Sequence, residues 1–270
     1  MSNRFTDTLF TLIHSLEKSE KRHFKLYIKR SSAKEDLKIV KLFEALDKLD
    51  DYDEKLLLKK LAGIQKPQLS NLKSHLYKEI LASLRLLKST DSIDLQLNEQ
   101  FDYAHILYKK GLFSQSLRIL DSAKEIAKVN QKFNFLIQVI SLEKRIEALH
   151  ITRGMQSRAE RLAGETNEVI NHIDMVARLS NLALQLYSWY IKNGHARNER
   201  DEVGVKLFFY ENLPGKALLQ TGFYEKLYVY QSYTWYAFIR QDFLLYYRYS
   251  QKWIDIFDEQ PLMIRKWLMP

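Results

Sequence analysis

The sequence predicts an all-α protein: an array of antiparallel helical hairpins preceded by an N-terminal helical region. Three observations predict it. Only 8 Gly and 4 Pro punctuate 270 residues, too few for a chain that turns as often as an all-β fold does. Hydrophobic residues make up 46% of the chain and recur at three- and four-residue spacing, the period of a helix with one buried face. Turn-like segments then come round at 111, 154, 194 and 241, steps of 43, 40 and 47 residues.

The elements follow in order. Phe5, Leu9, Leu12, Ile13 and Leu16 form one helical stripe, with Thr6 or Asp7 near its start. Ser19 precedes a second helix with Phe24, Tyr27 and Ile28 inward and Lys21, Arg22, Lys25, Lys29 and Arg30 outward. A third helix is expected over residues 35–49 on Leu37, Val40, Phe43 and Leu46. Asp53 opens a short fourth helix with Leu57, Leu58 and Leu61, stopped by Gly63. Pro67 starts a long fifth one with Leu69, Leu72, Leu76, Ile80, Leu84 and Leu87 inward.

Charge and aromatic residues are unevenly placed. Residues 1–90 hold 19 Lys+Arg against 12 Asp+Glu, whereas residues 91–270 hold 23 against 21. Of the 34 aromatic residues, 21 fall between Tyr187 and Trp267. Two parts are therefore expected, a basic helical region over 1–90 and a helical-repeat region over 91–270. Within the first, residues 54–78 resemble part of a helix-turn-helix: Leu58, Ala62, Gly63, Ile64, Leu69 and Leu72 sit where that motif places apolar residues and its turn glycine. Lys59 departs from it, since the motif needs a small residue there. The resemblance implies a face of Gln68, Ser70, Asn71, Lys73, Ser74 and Lys78 able to reach phosphates or base edges. The same residues also fit the wet side of an ordinary amphipathic helix.

From residue 99 the series Ala104, Leu107, Gly111, Phe113, Ser116, Leu120 and Ala123 alternates small and large residues around a turn glycine. Ala104, Ser116 and Ala123 let two helices approach; Leu107, Phe113 and Leu120 fill the space between them. This resembles one tetratricopeptide unit. Later units match less well: Glu147 and His150 stand where apolar residues are expected, and Tyr246 and Ser250 exchange large and small roles. The intervals exceed the unit's usual length of about 34 residues, so the region resembles a degenerate, tetratricopeptide-like array with lengthened helices. That resemblance implies a right-handed superhelix whose inner groove is lined by His105, Tyr108 and Lys109, then Lys144, then Ser188 and Lys192, then Tyr228, Gln231, Trp235 and Phe238. The lysines would receive an acidic partner and the aromatic residues would anchor it.

Chemistry that converges is not announced. With 0 Cys there is no thiolate site or disulfide. The histidines at 14, 23, 75, 105, 150, 172 and 195 show no metal-ligand spacing. No GxG cradle or GK[ST] loop marks a nucleotide site, and Asp50, Asp51, Asp53 and Glu54 read as a helix start rather than a calcium loop. No catalytic residue, metal or cofactor is expected. A membrane-length apolar run is missing from the sequence, which points to a cytoplasmic protein. Leu262, Trp267 and Leu268 are too apolar to cap an array, so the chain is expected to continue in a longer protein or to dock on a second copy. The leading expectation is a non-enzymatic scaffold that binds a protein or peptide in the groove. The alternative is a nucleic-acid-binding regulator that uses residues 54–78 and senses through its repeats.

Overall fold

The computed structural model describes residues 7–29, 34–61, 66–88, 92–150, 155–215, 222–261 and 263–264. Among them every regular element is helical, twelve helices in all. Outside the described residues lie Phe5, Thr6, Gly63 and its neighbours Ala62 and Ile64, the expected turn at 151–154, and the terminal Leu262, Trp267 and Leu268. The chain divides into two compact units, residues 1–105 and 106–270.

The first unit contains α1 (Thr8–Ser15), α2 (Lys18–Lys29), α3 (Lys34–Asp47), α4 (Glu54–Lys60) and α5 (Lys66–Leu87), with most of α6 (Ile93–Lys109). Asp7 caps α1, its carboxylate accepting from the backbone N–H groups of Leu9 and Phe10. Asp53 caps α4 in the same way through Lys55 and Leu56, which accounts for that end of the acidic run. Helix α2 begins at Lys18, ahead of Ser19, because the Glu20 carboxylate accepts from the Glu17 N–H and closes the first turn from within. Leu9, Ile13, Phe24, Ile28, Leu42, Phe43, Leu46, Leu57, Leu69, Leu76 and Ile80 form one core. Helix α3 lies at its centre, packing on α1, α2, α4 and α5, and α2 also packs on α5.

The second unit contains α7 (Phe113–Val129), α8 (Phe133–His150), α9 (Met155–Asn193), α10 (Glu199–Asn212), α11 (Phe223–Ile239) and α12 (Phe243–Glu259). Successive helices pack in a row, α7 on α8, α8 on α9, α9 on α11 and α11 on α12, while α10 touches α9 and α11. The helix ends at 111, 194 and 241 fall where the turns were expected. Three turns share one hydrogen-bond scheme. The N–H of residue 111, 131 or 241 reaches back three residues, and the next N–H reaches back five. This is the Schellman arrangement, which places one residue in the left-handed region. Gly111 occupies it at φ 75°, but Gln131 (φ 55°) and Gln241 (φ 56°) occupy it without glycine's freedom.

Residues 155–193 form one unbroken helix of 39 residues, where a two-helix unit between the turns at 154 and 194 would contain a break. No proline interrupts it and Gly164 is its one glycine. At about 1.5 Å per residue it is roughly 58 Å long. Its first half turns Leu162 inward and exchanges ion pairs with α8; its second half buries Leu179, Leu182 and Leu186. His172 meets Glu225, and Ser232 donates to the Leu179 carbonyl, so α9 and α11 advance together and run parallel.

Candidate interaction surface

The C-terminal excess of aromatic residues separates into two populations. One is core. Phe209 stacks on Tyr236 with ring centres 4.2 Å apart, and Tyr233 stacks on Tyr249 at 4.1 Å. Burial pushes the Tyr233 hydroxyl up to about 12, with neighbouring Tyr249 adding to the shift. These rings fill the layer between α9, α10, α11 and α12.

The other population forms a path of ring contacts across three helices. Tyr187 of α9 meets Trp235 of α11 at 4.9 Å, Trp235 meets Phe238 at 5.9 Å, and Phe238 meets Tyr246 of α12 at 5.7 Å. Tyr190 packs on both Trp235 and Phe238, and His195 packs edge-on against Phe238 at 4.7 Å. The His195 Nδ1–H donates to the Phe238 carbonyl at 2.9 Å and fixes the loop after α9 beside α11. Both ends of the path open to solvent among exposed apolar residues: Leu184 is 64% exposed, Ile191 65% and Phe243 79%. A cavity of about 390 Å³ lies along it, lined by His195, Ala237, Phe238, Gln241, Asp242, Phe243 and Tyr246. Burying an exposed Leu, Ile or Phe side chain is worth about 1.5–3 kcal/mol, so clustered exposure of this kind marks a surface with something to gain from being covered.

Of the expected groove residues, the structure brings Trp235 and Phe238 into this path. Ser188 and Lys192 are exposed on the same stretch of α9 as Leu184 and Ile191. Gln231 is half-buried on α11. Tyr228 packs against the two apolar clusters flanking α11, and burial raises its hydroxyl pKa. Tyr108 meets Phe113 across the 111 turn, Lys109 is exposed, and His105 sits edge-on to Phe101 in the first unit. Lys144 lies apart, lining a separate pocket of about 240 Å³ with Glu147 and Arg158. Tyr187, Tyr190 and His195 are not singled out for this surface by the sequence, and Phe243 and Tyr246 figure there only as hairpin-packing positions. The signal that could have found them is the aromatic excess itself, read together with the 241 turn.

A buried ion network ties α7, α8 and α9. Lys124, 3% exposed, donates to Glu143, itself 2% exposed, and to Glu165 at 2.8 Å. Burial alone would lower the Lys124 ammonium; its hydrogen bonds to Glu143 and Glu165 outweigh that and hold it above 10.5. Burial would likewise raise Glu165, and the bond from Lys124 reverses the shift to below 4.5. Arg161 adds a contact to Glu143 at 3.4 Å, and Arg158 pairs with Glu147 at 2.5 Å. Glu147, out of place in the apolar pattern, is thus buried with a cation from the next helix.

On α5, Gln68, Ser70, Asn71, Ser74 and Lys78 are exposed along one side. Lys73 is half-buried, its ammonium donating to Asp7 and to the Tyr52 hydroxyl at 2.9 Å. Burial would lower its pKa, but these bonds leave it raised. The cleft of about 670 Å³ here is lined by Asp7 and Glu54 as well as Lys73 and Lys78, so its fixed charges balance. Helix α4 packs on α3.

Among the described residues no helix is long and apolar enough to cross a membrane, and no group of three or more His, Asp or Glu is placed to hold a metal ion. No protein-family model, curated protein or solved structure matches the chain.

Proposed function

We propose that residues 106–270 act as a non-enzymatic interaction scaffold of tetratricopeptide-like construction, which binds a peptide or a partner helix against the aromatic path of α9, α11 and α12. The observation that carries this reading is the unbroken row from Tyr187 through Trp235 and Phe238 to Tyr246, open at both ends and flanked by exposed Leu184, Ile191 and Phe243. Rigid aromatic side chains lose little entropy on binding and dominate interface energies. The hydrogen-bonded 241 turn and the His195–Phe238 bond hold the row in place without a ligand, which lowers the cost of association. Selection from a random peptide library on the full chain tests this. Enriched peptides are expected to lose at least tenfold in affinity, about 1.4 kcal/mol, for the exposed-residue variant Phe243→Ser/Tyr246→Ser. Undiminished binding by that variant would place the surface elsewhere.

The alternative of nucleic-acid binding draws on the exposed row Gln68, Ser70, Asn71, Ser74 and Lys78. It is the weaker reading, because Lys73 is committed to Asp7 and Tyr52 and two carboxylates line the same cleft.

A further inference from the structure

The cavity at the 241 turn has a one-sided electrostatic character. In a chain of net charge +9, no lysine or arginine is among the described residues that line it, and Asp242 is the carboxylate among them. One oxygen of that carboxylate accepts from the Leu245 N–H at 3.0 Å, and a carboxylate has further acceptor capacity beyond it. The Phe238 carbonyl can only accept, so the proton between it and His195 sits on Nδ1. Ala237, Gln241 and the rings of Phe238, Phe243 and Tyr246 complete the lining, and an aromatic ring carries the negative part of its quadrupole on its faces.

The Asp242 carboxylate and the aromatic rings favour positive charge. We infer that this cavity receives a basic side chain, the ammonium of a lysine or the guanidinium of an arginine, presented by the bound partner. The inference rests on the scaffold reading and adds to it the chemistry of one anchor. An apolar anchor would also fill the volume, but would leave the spare acceptor capacity of the Asp242 carboxylate unused. A cation satisfies it and gains from the ring faces as well. The sequence pattern pointed instead to lysines drawing in an acidic partner; at this cavity the complement runs the other way.

The full chain, with its Phe and Tyr rings labelled for NMR, can be titrated with three probes: N-acetyl-lysine N-methylamide, the uncharged norleucine counterpart, and tetramethylammonium. The lysine probe is expected to shift the Phe238 and Tyr246 signals and to bind about three- to tenfold tighter than the norleucine probe, the range of a partly exposed cation–aromatic contact. Asp242→Asn keeps a residue able to cap α12 while removing the charge. It should weaken the lysine probe and leave the norleucine probe unchanged. Equal binding of the two amino-acid probes would overturn the inference and leave the scaffold reading standing, since a plain apolar slot still takes a partner. Binding of tetramethylammonium without the lysine probe would overturn it in favour of a free-cation site. Absence of any shift would overturn the cavity as a site, while the peptide selection judges the surface separately.

Discussion

Replacing Lys124 with Met removes the one ammonium shared by Glu143 and Glu165 while keeping most of the side chain's volume. The Coulomb attraction lost is not the main cost. Glu143 is almost fully buried, and its remaining cation among the described residues, Arg161, stands 3.4 Å away on a half-exposed side chain. Breaking a buried pair by deleting one partner costs about 3–5 kcal/mol, because an uncompensated charge stays inside. That is a large part of the roughly 5–15 kcal/mol that holds a domain folded. Urea unfolding followed by far-UV circular dichroism should therefore show a loss of about 3 kcal/mol or more for Lys124→Met. Adding Glu143→Leu removes the stranded carboxylate, and the double variant should recover at least about 1.5 kcal/mol relative to the single one. A single-variant loss below about 1 kcal/mol, the range of an exposed pair, would refute the argument, as would strictly additive effects.

Other outcomes follow from the same structure. Gln241→Gly, or Gln131→Gly, relieves a non-glycine residue in the left-handed region and should stabilise by about 0.5–1 kcal/mol in thermal unfolding; destabilisation would mean that the glutamine side chain holds the turn. Gly164→Ala lies in the interior of α9 with open space around the added Cβ and should gain about 0.5–1 kcal/mol. The stability difference between wild type and Lys124→Met should also depend on pH. Glu165 is held below 4.5, so its contribution is complete above that value and fades as pH falls through the folded pKa. Lys124 is held above 10.5, so its contribution is complete below that value and fades as pH rises through the folded pKa. Urea midpoints between about pH 2 and 9 should show the difference shrinking on the acid side; a difference constant to pH 2 would contradict the assignment.

The helices were legible because their buried faces repeat at helical period: Leu69, Leu76 and Ile80 were placed inward on α5 from spacing alone, and all three are buried. The 241 turn was legible through its match in position to the 111 turn, although a glutamine stands where glycine is usual. The 131 turn, Asn130-Gln131-Lys132, carries no glycine or proline to mark it. The length of α9 was not legible either, since a weak repeat pattern suggests a break that only a proline or a capping sequence could have enforced. For the candidate surface, Trp235 and Phe238 could be read from the repeat offsets. Tyr187, Tyr190 and His195 could not, because the parallel pairing of α9 with α11 that brings them there depends on residues some fifty positions apart, such as His172 and Glu225. The ion network was half legible: Glu147 was visibly misplaced in an apolar row, but its cation, Arg158, comes from another helix.

Hydrogen exchange of the full chain with and without a selected peptide shows directly whether the α9, α11 and α12 surface is where a partner binds. Binding should add protection in residues 184–195 and 235–247. Protection confined to residues 68–78 of α5, with the α9, α11 and α12 segments unchanged, would rule that surface out.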